Sequence, residues 1–262
     1  EAWVEESLIV ANPKLNAAAK KLNTFDWWPS LPGRAFNAMI HPLINHDIGG
    51  VIWYQGESNV GTHQTYRELM ETLISSWRSQ WNKNFPFYLV QIAPFEYESN
   101  LSSARLREAQ QQLSRLPKGG MISIHVLVEN IKDIHPINKH DVGLRLANLA
   151  LGDYYQKGIS GFRNPEFVSM SSEKGKVTLN FKNIEAGINT KSGAPLGFMI
   201  AGSDRKWVPA SARIEGSKVV INVKKIQGPF EVRYGFSNAG IGNVFNSAGL
   251  PLVPFRTDHW EE

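Results

Sequence analysis

The chain has 262 residues, 42% of them hydrophobic, 20% charged and none cysteine, with a formal net charge of +4 from 28 basic and 24 acidic residues. That composition supplies a core for one large domain or two ordinary ones, excludes a disordered chain, and shows no basic run of the kind that marks nucleic-acid binding. No apolar run reaches the ~18 residues of a membrane span, and without cysteine there is neither a disulfide nor a thiolate metal site.

The chain opens at Glu1 with no initiator Met and no signal-peptide pattern, and we expect a processed or truncated polypeptide. Residues 1 to about 22 carry helix formers, notably Ala17 to Lys21, interrupted by Pro13. Thr24 to Gly33 is aromatic and proline-rich, with Phe25, Trp27, Trp28, Pro29 and Pro32, and reads as a loop. The chain's eight Trp and seven Tyr offer aromatic faces that suit sugar stacking and equally suit any core. Phe36 to Asn45 places Met39, Ile40, Leu43 and Ile44 at helical spacing, with Pro42 near the start of that run or kinking it.

Val51 to Asn59 is the stretch around which the rest is organised. Gly49 and Gly50 precede an apolar run, Val51-Ile52-Trp53-Tyr54, and a polar tip follows, Gln55-Gly56-Glu57-Ser58-Asn59. A short apolar run between glycines reads as a buried strand, and its polar tip then lies at the strand's C-terminal end, where open α/β sheets place their binding crevice. Tyr66, Leu69, Met70, Leu73, Ile74, Trp77 and Trp81 follow at helical spacing and predict an amphipathic helix. Phe87 to Ile92 is a second strand and Ser103 to Leu116 a second helix, with Leu106, Ala109, Gln110 and Leu113 on one side. Met121 to Val128 is a third strand. Asn138, followed three residues on by Asp141, resembles a capping box that opens a third helix with Val142, Leu146, Leu149 and Ala150 as its apolar stripe.

Strands alternating with helices predict a parallel sheet. After Gly158-Ile159-Ser160-Gly161 the period becomes two: Val177, Leu179 and Phe181; Val219, Ile221 and Val223; Phe230, Val232 and Tyr234. Glu215-Gly216-Ser217 reads as a hairpin turn. Short strands at this spacing predict an antiparallel sandwich. We therefore expect an α/β domain over residues 1–157 and a β-sandwich over 166–262, with no internal repeat.

Asp133-Ile134-His135-Pro136 lies between the third strand and the third helix, again at the C-terminal edge of the predicted sheet. An aspartate two residues from a histidine can orient the imidazole and stabilise its charge while it acts as general base. Taken alone, the pair reads more simply as a loop whose aspartate caps something local. His41 and His46, like His135 and His140, are five apart and do not share a helical face, and there is no H-E-x-x-H, G-x-G-x-x-G or Walker loop. No metal or cofactor is expected. Ser58 lacks the second glycine of a G-x-S-x-G elbow and is not read as a nucleophile.

Trp53-Tyr54-Gln55-Gly56-Glu57-Ser58-Asn59 resembles the W-x-Q-G-E-x-N/D signature of sialate O-acetylesterases and related carbohydrate acetylesterases of the SGNH hydrolase superfamily. Asp133 to Pro136 with Asn138-Lys139 and Gly143 to Ala147 resembles that family's histidine block. Leu106 to Gln110, Pro209 to Ala212, Val232 to Tyr234 and Gly249 through Asp258 extend the resemblance over nearly the whole chain. It implies a three-layer α/β/α hydrolase domain with a parallel sheet, here incomplete at its N-terminus, followed by a β-sandwich. It implies His135 as base and then acid, Asp133 as its orienting partner, Gln55 and the Gly56 backbone as oxyanion donors, and Glu57 and Asn59 as supports of the loop. The family's nucleophile comes from a G-Q-S-N motif, which this sequence lacks; the expected partner is therefore the missing segment or chain that carries the serine. At Val126 the sequence departs from relatives that place an acidic residue near this point, which bears on Asp133 as sole partner of His135. The resemblance implies an acetylated-carbohydrate substrate, either sialic acid or an acetylated xylan or other plant glycan, and a secreted or periplasmic location. A different class remains open: a non-catalytic carbohydrate-binding or structural chain.

Overall fold

The structure, a computed structural model, describes residues 1–22, 24, 27–98, 101–185, 187–223 and 226–260. Phe25, expected in the aromatic loop, lies outside the described residues. The chain forms two compact units, Glu1–Leu89 with Arg105–Met121, and Val90–Ala104 with Ile122–Glu262.

The first unit begins with α1 (Glu6–Ala11) and α2 (Pro13–Ala19). They are separate helices because Pro13 has no amide hydrogen to continue α1, while its fixed φ starts α2. The Asn12 side chain accepts from the Lys14 and Leu15 amides at 3.1 and 3.2 Å and caps the second helix. Phe36–Ile40 is a π turn and His41–Leu43 a 3₁₀ turn containing Pro42. Phe36 is buried, but Met39 and Leu43 are about half exposed, so this apolar run does not close a core.

Strand β1 (Val51–Trp53), helix α3 (His63–Gln80), strand β2 (Phe87–Val90), helix α4 (Ser102–Leu113) and strand β3 (Gly119–Ile122) follow. The sheet order is β1-β2-β3. Val51 pairs with Phe87 and Trp53 with Leu89 in parallel register. The bonds Phe87 N–H to Lys118 O and Gln91 N–H to Ile122 O, at 3.0 and 2.9 Å, advance together along both chains, as parallel strands require. The predicted stripe of α3 is its buried face, with Tyr66, Leu69, Met70, Leu73, Ile74 and Trp77 all under 6% exposed, except that Trp81 lies at the C-cap, past the helix, and is half-buried. Trp53 is the centre of an aromatic cluster, its ring 5.9 Å from Trp3, 5.8 Å from Trp77 and 6.0 Å from Phe87. Each such ring contributes about 0.5–1.5 kcal/mol beyond the area it buries.

Two expectations need correction. The opening strand is not buried on both faces: it is an edge strand, and Ile52 is 65% exposed while its neighbour Trp53 is buried, the alternation of a one-sided strand. The third strand ends at Ile122 rather than Val128. Its ladder stops because the Ser123 amide donates to the Asn164 side chain and Leu127 N–H closes a turn on Ile124 O.

The second unit carries α5 (Lys139–Asp153) and all the later strands: β4 (Glu166–Glu173), β5 (Lys176–Lys182), β6 (Ile188–Thr190), β7 (Phe198–Ala201), β8 (Val208–Pro209), β9 (Ala212–Glu215), β10 (Lys218–Asn222), β11 (Glu231–Tyr234), β12 (Val244–Asn246) and β13 (Phe255–Arg256). Among the described residues every element after α5 is a strand, so the change of element type falls between residues 154 and 165, whereas the compact units divide elsewhere and leave α5 with the strands. Two antiparallel four-stranded sheets, β4-β5-β10-β9 and β13-β11-β7-β8, share one apolar core that includes Val177, Leu179 and Ile221 from the first and Ile200, Val232 and Phe255 from the second. This is the sandwich that the two-residue period predicts. Gly216, at φ +62°, makes the tight turn of the β9–β10 hairpin, where a side chain would be strained.

A buried ion pair braces this unit. Arg233 donates through Nε to one Asp258 oxygen at 2.8 Å and through Nη2 to the other at 2.9 Å, and its guanidinium stacks 4.2 Å over the Trp207 ring. Burial alone would raise the Asp258 pKa, but the Arg233 hydrogen bonds and charge outweigh it and hold the carboxyl below its ordinary value. Removing one partner would leave a buried charge unpaired, so Asp258→Ala is expected to cost about 3–5 kcal/mol in urea unfolding of the whole chain. Because the folded pKa is depressed, the pair's contribution is complete above the unfolded carboxylate pKa of ~3.9 and is lost as pH falls through the folded value. An Asp258→Ala chain with the wild-type midpoint would contradict this.

Candidate active site

The candidate residues fall in both units, and each group is fixed by its own local physics. In the first unit, the chain leaves β1 through Tyr54 and Gln55 and enters a 3₁₀ turn over Glu57–Thr62. The Gln55 carbonyl, past the end of the ladder, accepts from the Tyr66 hydroxyl at 3.0 Å and from Gln110 Nε2 at 3.2 Å. One donor belongs to α3 and the other to α4, so the turn after the strand is tied to two helices. The half-buried Gln55 side chain donates through Nε2 to Asn59 Oδ1 at 2.9 Å. Asn59 is 4% exposed and donates to Glu1 Oε2 at 3.3 Å and towards Thr62 Oγ1 at 3.4 Å. Asn59 therefore fixes which side of the Gln55 amide is nitrogen. A primary amide nitrogen carries two hydrogens. Asn59 takes one, and the other is not committed to any hydrogen bond among the described residues.

Gly56 is buried and its carbonyl accepts from the Asn59 amide at 2.8 Å, closing the turn. Glu57 is half-buried in the first turn and Ser58 is exposed. Burial pushes the Tyr54 hydroxyl up to about 12, with the Glu57 charge adding to the effect, so the phenol is neutral at physiological pH.

In the second unit, Asp133 and His135 are both exposed in the loop before α5. Asp133 Oδ1 accepts the His135 backbone amide at 2.9 Å, which is an Asx turn. Its described hydrogen bond is thus to the main chain of His135 rather than to the imidazole. The local geometry favours this because an aspartate reaches the amide two residues on with little rearrangement. Asn138 caps α5 as predicted, accepting the Asp141 amide at 3.1 Å, and its own Nδ2 donates to Asp141 Oδ2 at 2.9 Å. The Asp141 pKa is lowered first by the Asn138 hydrogen bond and then by the one from His140.

Sequence reading missed the donors that hold Gln55. Tyr66 lies on the apolar stripe of α3, where a tyrosine reads as core although its hydroxyl is a polar handle. Gln110 is fully buried on the apolar side of α4, and a glutamine at a stripe position is the available signal, because a buried amide must find partners. A second buried polar group also escaped notice. Ser123 and His125, both under 2% exposed, lie 3.0 Å apart at Oγ and Nδ1. Ser123 Oγ donates to Gln91 Oε1 at 2.8 Å, and the Ser123 carbonyl accepts from Arg145 at 2.6 Å. This serine–histidine pair is sealed from solvent and serves the end of β3. Among the described residues no group of three His, Asp or Glu is arranged to hold a metal ion, and no helix is long and apolar enough to cross a membrane.

Comparison with known proteins gives a consistent result. A family model described as a carbohydrate esterase, sialic acid-specific acetylesterase, matches residues 19–151. Human sialate O-acetylesterase is 28% identical over 211 residues, 70% of this chain and 39% of the human protein. The mouse sialate O-acetylesterase is 27% identical over 210 residues, 71% of this chain and 38% of that protein. A crystal structure described as a novel carbohydrate acetylesterase from Xanthomonas citri superimposes with a TM-score of 0.84 at 36% identity, covering 99% of this chain and 58% of that one. The chain thus spans about two fifths of the length of these curated relatives.

The double anchoring of the Gln55 carbonyl has a measurable consequence. Tyr66→Phe leaves that carbonyl with Gln110 alone and is expected to lower stability by about 0.5–1.5 kcal/mol. Adding Gln110→Leu should cost more than the sum of the two single changes, since the carbonyl is then unsatisfied. A double-mutant cycle in urea with zero coupling would show that the two donors do not share this acceptor.

Proposed function

The chain belongs to the carbohydrate esterase family of sialic acid-specific acetylesterases, and on that premise we propose that it carries the histidine and oxyanion side of a serine esterase that removes O-acetyl groups from sialic acid or a related acetylated carbohydrate. The observation that carries the reading is the Gln55–Asn59 arrangement. It is a side-chain amide clamped at the end of a parallel strand with one N–H uncommitted among the described residues.

In this proposal His135 takes the proton of a serine hydroxyl as the serine oxygen attacks the acetyl carbonyl. The charge that develops on the carbonyl oxygen meets the second Gln55 N–H and the backbone around Gly56. The sugar alcohol leaves with the proton returned by His135, and water repeats the sequence on the acyl-serine to release acetate. Asp133 holds the His135 loop through the backbone amide and supports the charge that imidazole gains. Glu57 and Asn59 brace the turn. Preorganised donors of this kind contribute because they are fixed before charge develops, and the loss of one typically costs about 10²–10³ in rate.

The serine comes, in this reading, from a segment or chain outside these 262 residues, since no G-Q-S-N occurs in them. The outer edge of β1, unpaired among the described residues, supports a partner that adds to this unit, because an unpaired strand edge is a template for a further strand. We place the enzyme with its substrate in a secreted or periplasmic compartment.

The test uses four preparations on one aryl acetate: the chain alone, the chain with an upstream segment carrying the serine, and that complemented enzyme with His135→Ala or Gln55→Ala. The chain alone is expected to show only background hydrolysis and the complemented enzyme to turn over. His135→Ala should cost several orders of magnitude, as loss of a triad base does. Gln55→Ala should cost about 10²–10³. Near-normal turnover by the complemented His135→Ala enzyme would remove His135 from the mechanism. Full activity in the chain alone would return attention to Ser58. Turnover of O-acetyl sialic acid against acetylated xylan then decides the substrate.

A further inference from the structure

The loop between α2 and the π turn presents two tryptophans to solvent, Trp27 at 78% and Trp28 at 52% exposed. Their ring centroids are 6.1 Å apart and their planes meet at 61°, so the two rings form a corner rather than one flat wall. They line an open cavity of about 500 Å³ together with Thr24, Ser30, Leu31 and Arg34. The size is that of a small-ligand site, and large apolar rings clustered at the surface mark binding surfaces rather than core.

The segment from Trp27 to Phe36 is held in place by its prolines and its contacts with the start of the chain. Pro29 and Pro32 fix two φ angles within it. Its end is pinned where Phe36 N–H donates to Ala2 O at 2.9 Å. Gly33, at φ +74°, lies so close to Glu6 that a Cβ would come 3.0 Å from the Glu6 nitrogen, so only glycine lets the loop seat there. Restrained aromatic rings bind with little loss of entropy. The cation on this wall is Arg34, exposed, and among the described residues no acidic side chain pairs with it. A guanidinium that lines a cavity with aromatic rings, and that no acidic side chain among the described residues pairs, is matched by a carboxylate, which it can grip with two parallel hydrogen bonds. The apolar C–H face of a pyranose ring is matched by an indole face.

We infer that Trp27, Trp28 and Arg34 form a binding subsite for a carboxylated sugar, sialic or hexuronic acid, with the sugar ring in the tryptophan corner and the carboxylate on Arg34. The inference rests on the proposed function for its ligand class, carbohydrate, and adds to it a second contact with the glycan that takes no part in ester cleavage.

The 262-residue chain is titrated with methyl α-sialoside, its carboxylate methyl ester, methyl glucuronoside and methyl xyloside, following tryptophan fluorescence. Saturable binding of the carboxylated sugars is expected, together with a loss of about tenfold or more on esterifying the carboxylate, as for a charged hydrogen-bonded pair. Arg34→Gln should produce the same loss with the free acid and none with the ester. Trp27→Ala and Trp28→Ala should each weaken all the carboxylated sugars, and because both side chains are exposed, unchanged unfolding midpoints show that the variants fold. Relative affinities of sialoside and glucuronoside decide between the two acids. No saturable binding, binding unchanged by the tryptophan variants, or equal affinity for acid and ester would overturn the inference. None of these outcomes depends on the serine, so the subsite and the esterase reading fail or stand separately.

Discussion

A chain that leaves a strand must hand its carbonyls to other donors, and two residues past the end of β1 that carbonyl is Gln55's. Tyr66 on α3 and Gln110 on α4 take it, so the position of the turn is set by two helices packed in the same unit rather than by the turn's own residues. Strand alternation sends Trp53 inward to its aromatic cluster and Ile52 outward. The turn then seats buried Asn59 where it can fix the Gln55 amide. A single side-chain amide thereby acquires a defined donor direction, which is what stabilising a transient oxyanion requires.

The second unit solves a different problem. Its sandwich is apolar inside and needs little beyond alternation, yet it buries a full ion pair, Arg233 with Asp258. Such a pair adds little net stability over an apolar substitute, but either partner left alone in the interior is costly. In the same unit the loop carrying His135 is shaped by short-range hydrogen bonds, the Asp133 Asx turn and the Asn138 cap. The histidine is thus displayed on a backbone whose course is fixed locally while its ring remains exposed to solvent.

Much of this is legible from residue order because it depends on periodicity. The α3 stripe, the Asn138 cap, the Gly216 hairpin and the alternation at Val177, Leu179 and Phe181 are local patterns, and burial follows them. What is not legible depends on distant partners. Whether Ile52 is covered depends on what packs against its face of the sheet, and nothing within Val51–Trp53 encodes that. Met121 to Val128 has the apolar content of a long strand, but Asn164, forty-one positions after Ser123, takes the amide and ends the ladder. Gln110 and Tyr66 look like helix-face residues until the fold brings them to one carbonyl. The compact units interleave in the chain because tertiary contacts, rather than the change of period after Lys157, decide them.

The most direct measurement of the central claim is covalent labelling of a serine supplied in trans by a fluorophosphonate, a reagent that reacts with serines activated by a base and an oxyanion hole. The account predicts stoichiometric labelling of the serine in an upstream G-Q-S-N segment only when this chain is present, and loss of labelling when the chain carries His135→Ala. Labelling of Ser58 in the chain alone, or equal labelling of the supplied serine with and without His135, would contradict it.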